Sequence, residues 1–176
     1  VANLGKMAKD IILLMQTEVG EVFESPEEGK GGSSTLPHKR NPVSSTLITS
    51  IAMRVPSLVS SVMTAMVQEH ERAVGGWHAE WATLSEICKL TGGALKQSVD
   101  LTTGLEVDAE RMRENLEMTG GLIFAENVSL ALANKIGKEA AHELLENACN
   151  RVKSSGTHLK DVLLQQESHS VAPEYY

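Results

Sequence analysis

Between Gly29 and Pro42 the sequence gathers the side chains best suited to proton transfer and anion binding: Ser33 and Ser34, then His38, Lys39, Arg40 and Asn41. Gly29, Gly31 and Gly32 restrict the backbone little, and Asn41-Pro42 opens a long apolar periodic run. The pattern predicts a mobile polar loop feeding a rigid helix. Binding and catalytic groups commonly sit in such places, although a plain inter-helix connection has the same composition. A serine hydroxyl acts as a base only when cations, backbone N–H donors or an adjacent base stabilise its alkoxide, and Lys39, His38 and the helix start at Asn41 could supply that field. The same groups could instead hold a carboxylate, with Lys39 as point charge and Asn41 as hydrogen-bond partner. Either way, the residues fit proton abstraction or donation next to a carboxylate.

Other candidate motifs fail on spacing. Gly29-Lys30-Gly31 lacks the Ser or Thr after the lysine, and the strand before the loop, that a phosphate-binding loop needs. His78-Ala79-Glu80 opens like a zinc deaminase signature, but no P-C-x-x-C follows and Cys88 stands alone. With no H-E-x-x-H, and with His70, His142, His158 and His169 scattered, no metal ligand set is expected. The net charge of −7 argues against nucleic acid or an anionic membrane as partner, so Lys39-Arg40 reads as a local spot for a small anion or as a solvated pair. Cys88 and Cys149 are isolated, and neither a signal peptide nor an 18-residue apolar run is found, which predicts a reduced, cytoplasmic protein.

The elements that must carry these groups read as helices throughout. Across 176 residues the chain is 41% hydrophobic but only 3% aromatic, a composition suited to helix-on-helix packing. Helical spacing runs from Leu4 to about Val22, ended by Ser25-Pro26. A second helix starts at Pro42 with Asn41 as cap and continues through Leu47, Ile51, Val55, Leu58, Val62 and Met66 to about Arg72, roughly 45 Å, with a kink expected at Pro56. A third, from Trp77 to about Thr103, contains Gly92-Gly93, whose cost close packing against a neighbour could offset. Shorter helices follow at Ala109–Met118, Leu122–Lys135, Lys138–Lys153 and His158–Gln166, then a frayed end from Val171 to Tyr176. The expectation is an all-α protein: a long-helix bundle segment over 1–104, with its loop at 24–41, and a small helical domain over 105–176, with no strand. The chain starts at Val1, inside a helical pattern, and reads as a piece of a longer protein.

The stretch Gly32-Ser33-Ser34-Thr35-Leu36-Pro37-His38-Lys39-Arg40-Asn41-Pro42 closely resembles the G-S-S-x-M-P-x-K-x-N-P signature of the aspartase/fumarase superfamily, departing at Leu36 where Met is usual. Glu71 to Trp81, Gly104 to Asp108 and Asn115 to Ile123 look most like its branch of bacterial 3-carboxy-cis,cis-muconate cycloisomerases. Adenylosuccinate lyase, the nearest relative, would carry a different stretch after Glu71-Arg72, with Ser and Arg for a nucleotide phosphate. The resemblance implies a homotetramer built on a central helical bundle, with each active site shared between subunits. It implies a small tricarboxylate substrate, no cofactor and no metal. Ser33 maps onto the catalytic acid/base, Lys39 and Asn41 onto the residues that orient the substrate carboxylate, and Ser34 and His38 onto the same substrate-binding stretch. The implied chemistry is intramolecular addition of a carboxylate across a double bond. Other β-eliminating lyases, and a non-catalytic helical oligomerisation module, are the alternatives. The family's upstream blocks, including its histidine region, are not found in this sequence, so the 176-residue chain alone is expected to show little or no turnover.

Overall fold

The computed structural model describes residues 1–25, 39–71 and 73–166. They form two compact units, one from Val1 to Ala109 and one from Glu110 onward. In the first, α1 (Ala2–Leu14), α2 (Val43–Ala65) and α3 (Gly76–Thr103) carry the core. In the second, α4 (Ala109–Glu117) is followed by a 3-10 turn at Leu122–Phe124, then α5 (Ala125–Ile136), α6 (Lys138–Ser155) and α7 (Leu159–Gln166). The described residues are largely helical, as the periodicities predict, and they also contain a short ladder. Val22–Phe23 (β1) and Glu106–Val107 (β2) pair antiparallel, Val22 opposite Val107 and Phe23 opposite Glu106.

That small ladder explains why the first helix stops well short of Val22. After Leu14 the residues Gln16, Thr17 and Glu18 offer nothing to bury, and Gly20 turns the chain with φ of 63°. The amide of Glu21 donates back to the Leu14 carbonyl at 3.0 Å, and the amide of Asp108 donates to the Glu21 carbonyl at 2.8 Å. The polypeptide leaving α1 is thereby tied to the one leaving α3. Gly5 sets the distance between α1 and α2: a Cβ there would lie 2.4 Å from the Cβ of Ala52. Below this crossing Ala8, Ile11, Met15, Ile48 and Leu101 are buried together, and Ile51, Val55 and Ala94 form the adjoining cluster.

One expectation changes. The second helix does not run on toward Arg72, which lies outside the described residues; it ends at Ala65, where burial ends, with Met66 and Val67 exposed and His70 at φ of 52°. Pro56 sits inside it, and the helix continues through that position as one element. By length and composition α2 could also cross a membrane, alone among the helices of the described residues. It packs through Ile48, Ile51 and Val55 against α1 and α3, while Leu47, Met53, Val59 and Met63 stay exposed in the single chain.

Among the described residues nothing packs closely over Gly92-Gly93, so the offset that a neighbour could supply does not come from them. A Cβ on either glycine would meet no atom within 4 Å among the described residues. Gly92→Ala and Gly93→Ala are therefore each expected to stabilise this chain by about 0.5–1 kcal/mol through helix propensity alone, read by urea unfolding. A loss of stability would mean that something packs over these glycines.

In the second unit Leu132, Ala141, Leu145, Ala148, Val152, Leu159, Val162 and Leu163 make one core. Gly137 (φ 88°) and Gly156 (φ 70°) bound α6, matching the breaks expected there. The segment from Val171 to Tyr176 lies outside the described residues.

Candidate active site

Of the residues singled out for chemistry, Ser33, Ser34 and His38 lie outside the described residues, whereas Lys39 and Asn41 stand at the entry to α2. Lys39 is exposed, and among the described residues it has no ion-pair partner. Asn41 is half-buried, and its carbonyl accepts the amide of Val43 at 2.9 Å. The N-cap position of α2 is Pro42, with φ of −79° and ψ of 69°, one residue after the Asn41 that the sequence suggested.

Glu24 caps α2 from outside the helix. Its Oε2 accepts the amide of Ser44 at 3.0 Å and its Oε1 that of Ser45 at 2.8 Å. A carboxylate bonded to two first-turn N–H groups satisfies donors that the helix cannot, and its charge lies at the favourable end of the helix dipole. Ser44 and Ser45 are both buried, so water could not readily replace Glu24.

Arg40 is the second unexpected element. Its Nη1 donates to Oε2 of Glu106 at 2.8 Å, its Nη2 donates to the carbonyl of Glu24, and its guanidinium lies 4.8 Å from the ring centre of Phe23. The cationic spot read from Lys39-Arg40 thus divides: Arg40 is engaged by Glu106, Glu24 and Phe23, and Lys39 is exposed. Neither Glu24 nor Glu106 was legible as a site residue. Glu24 is 16 positions from Arg40 and Glu106 is 66, and the pairings exist only after α1, α2 and α3 have packed.

At the far end of α2 lies a concave feature. Gln68, Glu71, Ala73 and Trp77 line a cavity of about 400 Å³. Beside it Trp77 and Trp81 meet edge to face, with ring centres 5.2 Å apart, and His78 lies within 5.7 Å of both. α2 has 23 residues, so at about 1.5 Å per residue the Lys39–Asn41 end and the Trp77 end are roughly 33 Å apart. One copy of this unit cannot bring both ends to the same small molecule. Among the described residues no cluster of three or more His, Cys, Asp or Glu side chains could hold a metal.

Comparison with known proteins bears on what this arrangement serves. Residues 1–57 match the family model described as Lyase, and residues 121–174 match the one described as Adenylosuccinate lyase C-terminus. A 3-carboxy-cis,cis-muconate cycloisomerase from Pseudomonas aeruginosa is 58% identical over 161 residues, covering 92% of this chain and 35% of that protein. A nitrosuccinate lyase from Streptomyces davaonensis is 49% identical over 173 residues, covering 98% of this chain and 35% of that protein. The crystal structure of beta-carboxy-cis,cis-muconate cycloisomerase from Acinetobacter calcoaceticus has a TM-score of 0.84 at 45% identity, covering 98% of this chain and 37% of that one. The chain spans little more than a third of the length of the relatives it matches.

Proposed function

The chain belongs to the aspartase/fumarase superfamily, and from that premise we propose that it is part of a 3-carboxy-cis,cis-muconate cycloisomerase. The 58% identity to the Pseudomonas aeruginosa enzyme carries this reading. In the proposed reaction one carboxylate of the substrate forms a C–O bond to a carbon of a double bond, closing a lactone. The electron pair of that double bond moves to the carbon α to another carboxylate, and this carbon takes a proton from the hydroxyl of Ser33. Solvent returns the proton to the serine, so no oxidant, reductant or cofactor is required. Lys39 and Asn41 hold the carboxylate whose α-carbon is protonated, and Ser34 and His38 complete the binding stretch. The exposed ammonium of Lys39, beside a helix entry that Glu24 and Arg40 fix, supports this role.

A homotetramer is part of the proposal, as is a cytoplasmic location. Leu47, Met53 and Met63 on α2, with Trp81, Leu95 and Val99 on α3, are exposed in the single chain, and burial of such a surface favours association. A shared site would also overcome the roughly 33 Å between the two ends of α2.

The nitrosuccinate lyase relative, 49% identical, favours a second reading in which the same serine abstracts a proton for β-elimination. Full-length protein assayed with 3-carboxymuconate, nitrosuccinate and adenylosuccinate separates the two. Loss of the conjugated diene absorbance with 3-carboxymuconate is expected to be by far the fastest reaction. Turnover confined to one of the other substrates would replace the cycloisomerase by an eliminating lyase, and no turnover of any would leave a helical oligomerisation module.

A further inference from the structure

We infer that Arg40 is a positioning residue: it fixes the backbone at Lys39 and Asn41, and the rate of the reaction proposed above depends on that fixation. The inference rests on that functional reading, but its structural half can be tested without it. Arg40 joins its own segment to two pieces of chain that are remote in sequence, Phe23-Glu24 and Glu106. Through Nη1 it holds the carboxylate of Glu106, through Nη2 the carbonyl of Glu24, and its guanidinium carbon lies over the ring of Phe23, 4.8 Å from the ring centre. Phe23 and Glu106 face each other across the β1–β2 ladder, so a single guanidinium grips both residues of one cross-strand pair.

Glu24 then extends the grip into α2. Its carbonyl is taken by Arg40 while its carboxylate takes the amides of Ser44 and Ser45. The segment from Lys39 to Pro42 is thus held from two sides, at Arg40 itself and two residues beyond Pro42. Arg40 is in neither buried cluster and meets the first only at its margin, through Phe23, which packs against Ala8, Ile11, Met15, Ile48 and Leu101. Removing it should therefore loosen the entry to α2 without dissolving the helices.

The work requires a guanidinium. An ammonium is a point charge that cannot donate in a fixed fork to two oxygens in different directions while its charge also lies over an aromatic ring. Displacement of Lys39 and Asn41 by about 1 Å would cost a reaction that depends on placing a carboxylate some 10- to 100-fold.

The test compares Arg40→Lys and Arg40→Ala with Arg54→Ala in the full-length protein. Arg54 pairs with Glu86 between α2 and α3 and serves as the control for losing an arginine ion pair on the same helix. On whichever panel substrate the wild type turns over, Arg40→Lys is expected to lower kcat about 10-fold and Arg40→Ala about 10- to 100-fold, with Tm within about 2 °C of wild type and Arg54→Ala unchanged in rate. Amide hydrogen exchange over residues 39–47 is expected to accelerate about 10-fold or more in Arg40→Ala, with exchange over 76–103 unaltered. Unchanged exchange at 39–47 overturns the inference whatever the substrate panel shows, as does an exchange increase spread evenly over all three helices. If exchange rises locally but kcat and KM on a turned-over substrate stay at wild-type values, the dependence of rate on Arg40 is overturned. A wild-type protein silent on the whole panel, with local exchange raised in Arg40→Ala, supports the clamp and removes the cycloisomerase reading instead.

Discussion

Ser33→Ala in the full-length protein is expected to lower kcat for lactone formation by about 100- to 10,000-fold, the usual contribution of a positioned general acid or base. KM is expected to stay within about threefold, because Lys39 and Asn41 would still hold the substrate carboxylate and the missing hydroxyl acts only as the α-carbon accepts its proton. Ser34→Ala, assigned to substrate contact, should act mainly on KM. The pair of variants therefore separates proton transfer from binding within one short stretch. Steady-state kinetics give the first readout. The second is the rate of deuterium incorporation at the α-carbon in D₂O, which should fall with kcat in Ser33→Ala. A wild-type rate in Ser33→Ala would remove the proton-transfer role, and reversal of the two phenotypes would transfer that role to Ser34.

The helices were legible because their information is local. Spacing of three and four along Leu47, Ile51 and Val55, and glycines at 137 and 156, place helices and their ends with little help from the rest of the chain. What periodicity could not say is which apolar stripe is covered. Trp77, Trp81, Leu84, Leu95 and Val99 keep the helical period yet face outward in the single chain, while only Ala94, Ser98 and Leu101 of α3 are buried. The β1–β2 ladder was hidden for a different reason. A pair of two-residue strands carries no period, and its partners are more than 80 residues apart.

The surroundings of Lys39 and Asn41 were hidden in the same way. Pro42 marks the start of α2 in the sequence, but its cap comes from Glu24, twenty residues before Ser44 in a segment that read as the end of a helix. Arg40 read as part of a cationic spot, when the ladder and Glu24 engage it. Motif spacing thus names the groups proposed to meet a substrate, whereas the groups beside them that fix the helix entry are found only where remote segments touch.

Gly121→Ala is expected to destabilise the second unit by about 3 kcal/mol or more, a large share of what a domain of this size has. Gly120 and Gly121 are both left-handed, at φ of 59° and 81°, and a Cβ at 121 would lie 2.5 Å from Cε1 and 2.7 Å from Nε2 of His158. The left-handed backbone alone costs an alanine about 1–2 kcal/mol. The imidazole cannot simply step aside, because both of its nitrogens are engaged. Nδ1 accepts the amide of Lys160 at 3.1 Å at the start of α7, which leaves Nε2 as the nitrogen that donates to Glu117, 3.0 Å away. Next to it the amide of Leu159 donates to the Gly120 carbonyl at 2.8 Å, and Leu159 is buried in the core. Moving the ring therefore loosens α7 where it enters that core. Urea unfolding of the 176-residue chain reads the effect, and a cycle with His158→Ala isolates its cause. His158→Ala alone should cost about 1 kcal/mol for its lost hydrogen bonds, but in the Gly121→Ala background it should cost less or even restore stability, because the obstructing ring is gone. Strict additivity would show that the backbone conformation at 121, and not the imidazole, requires glycine there.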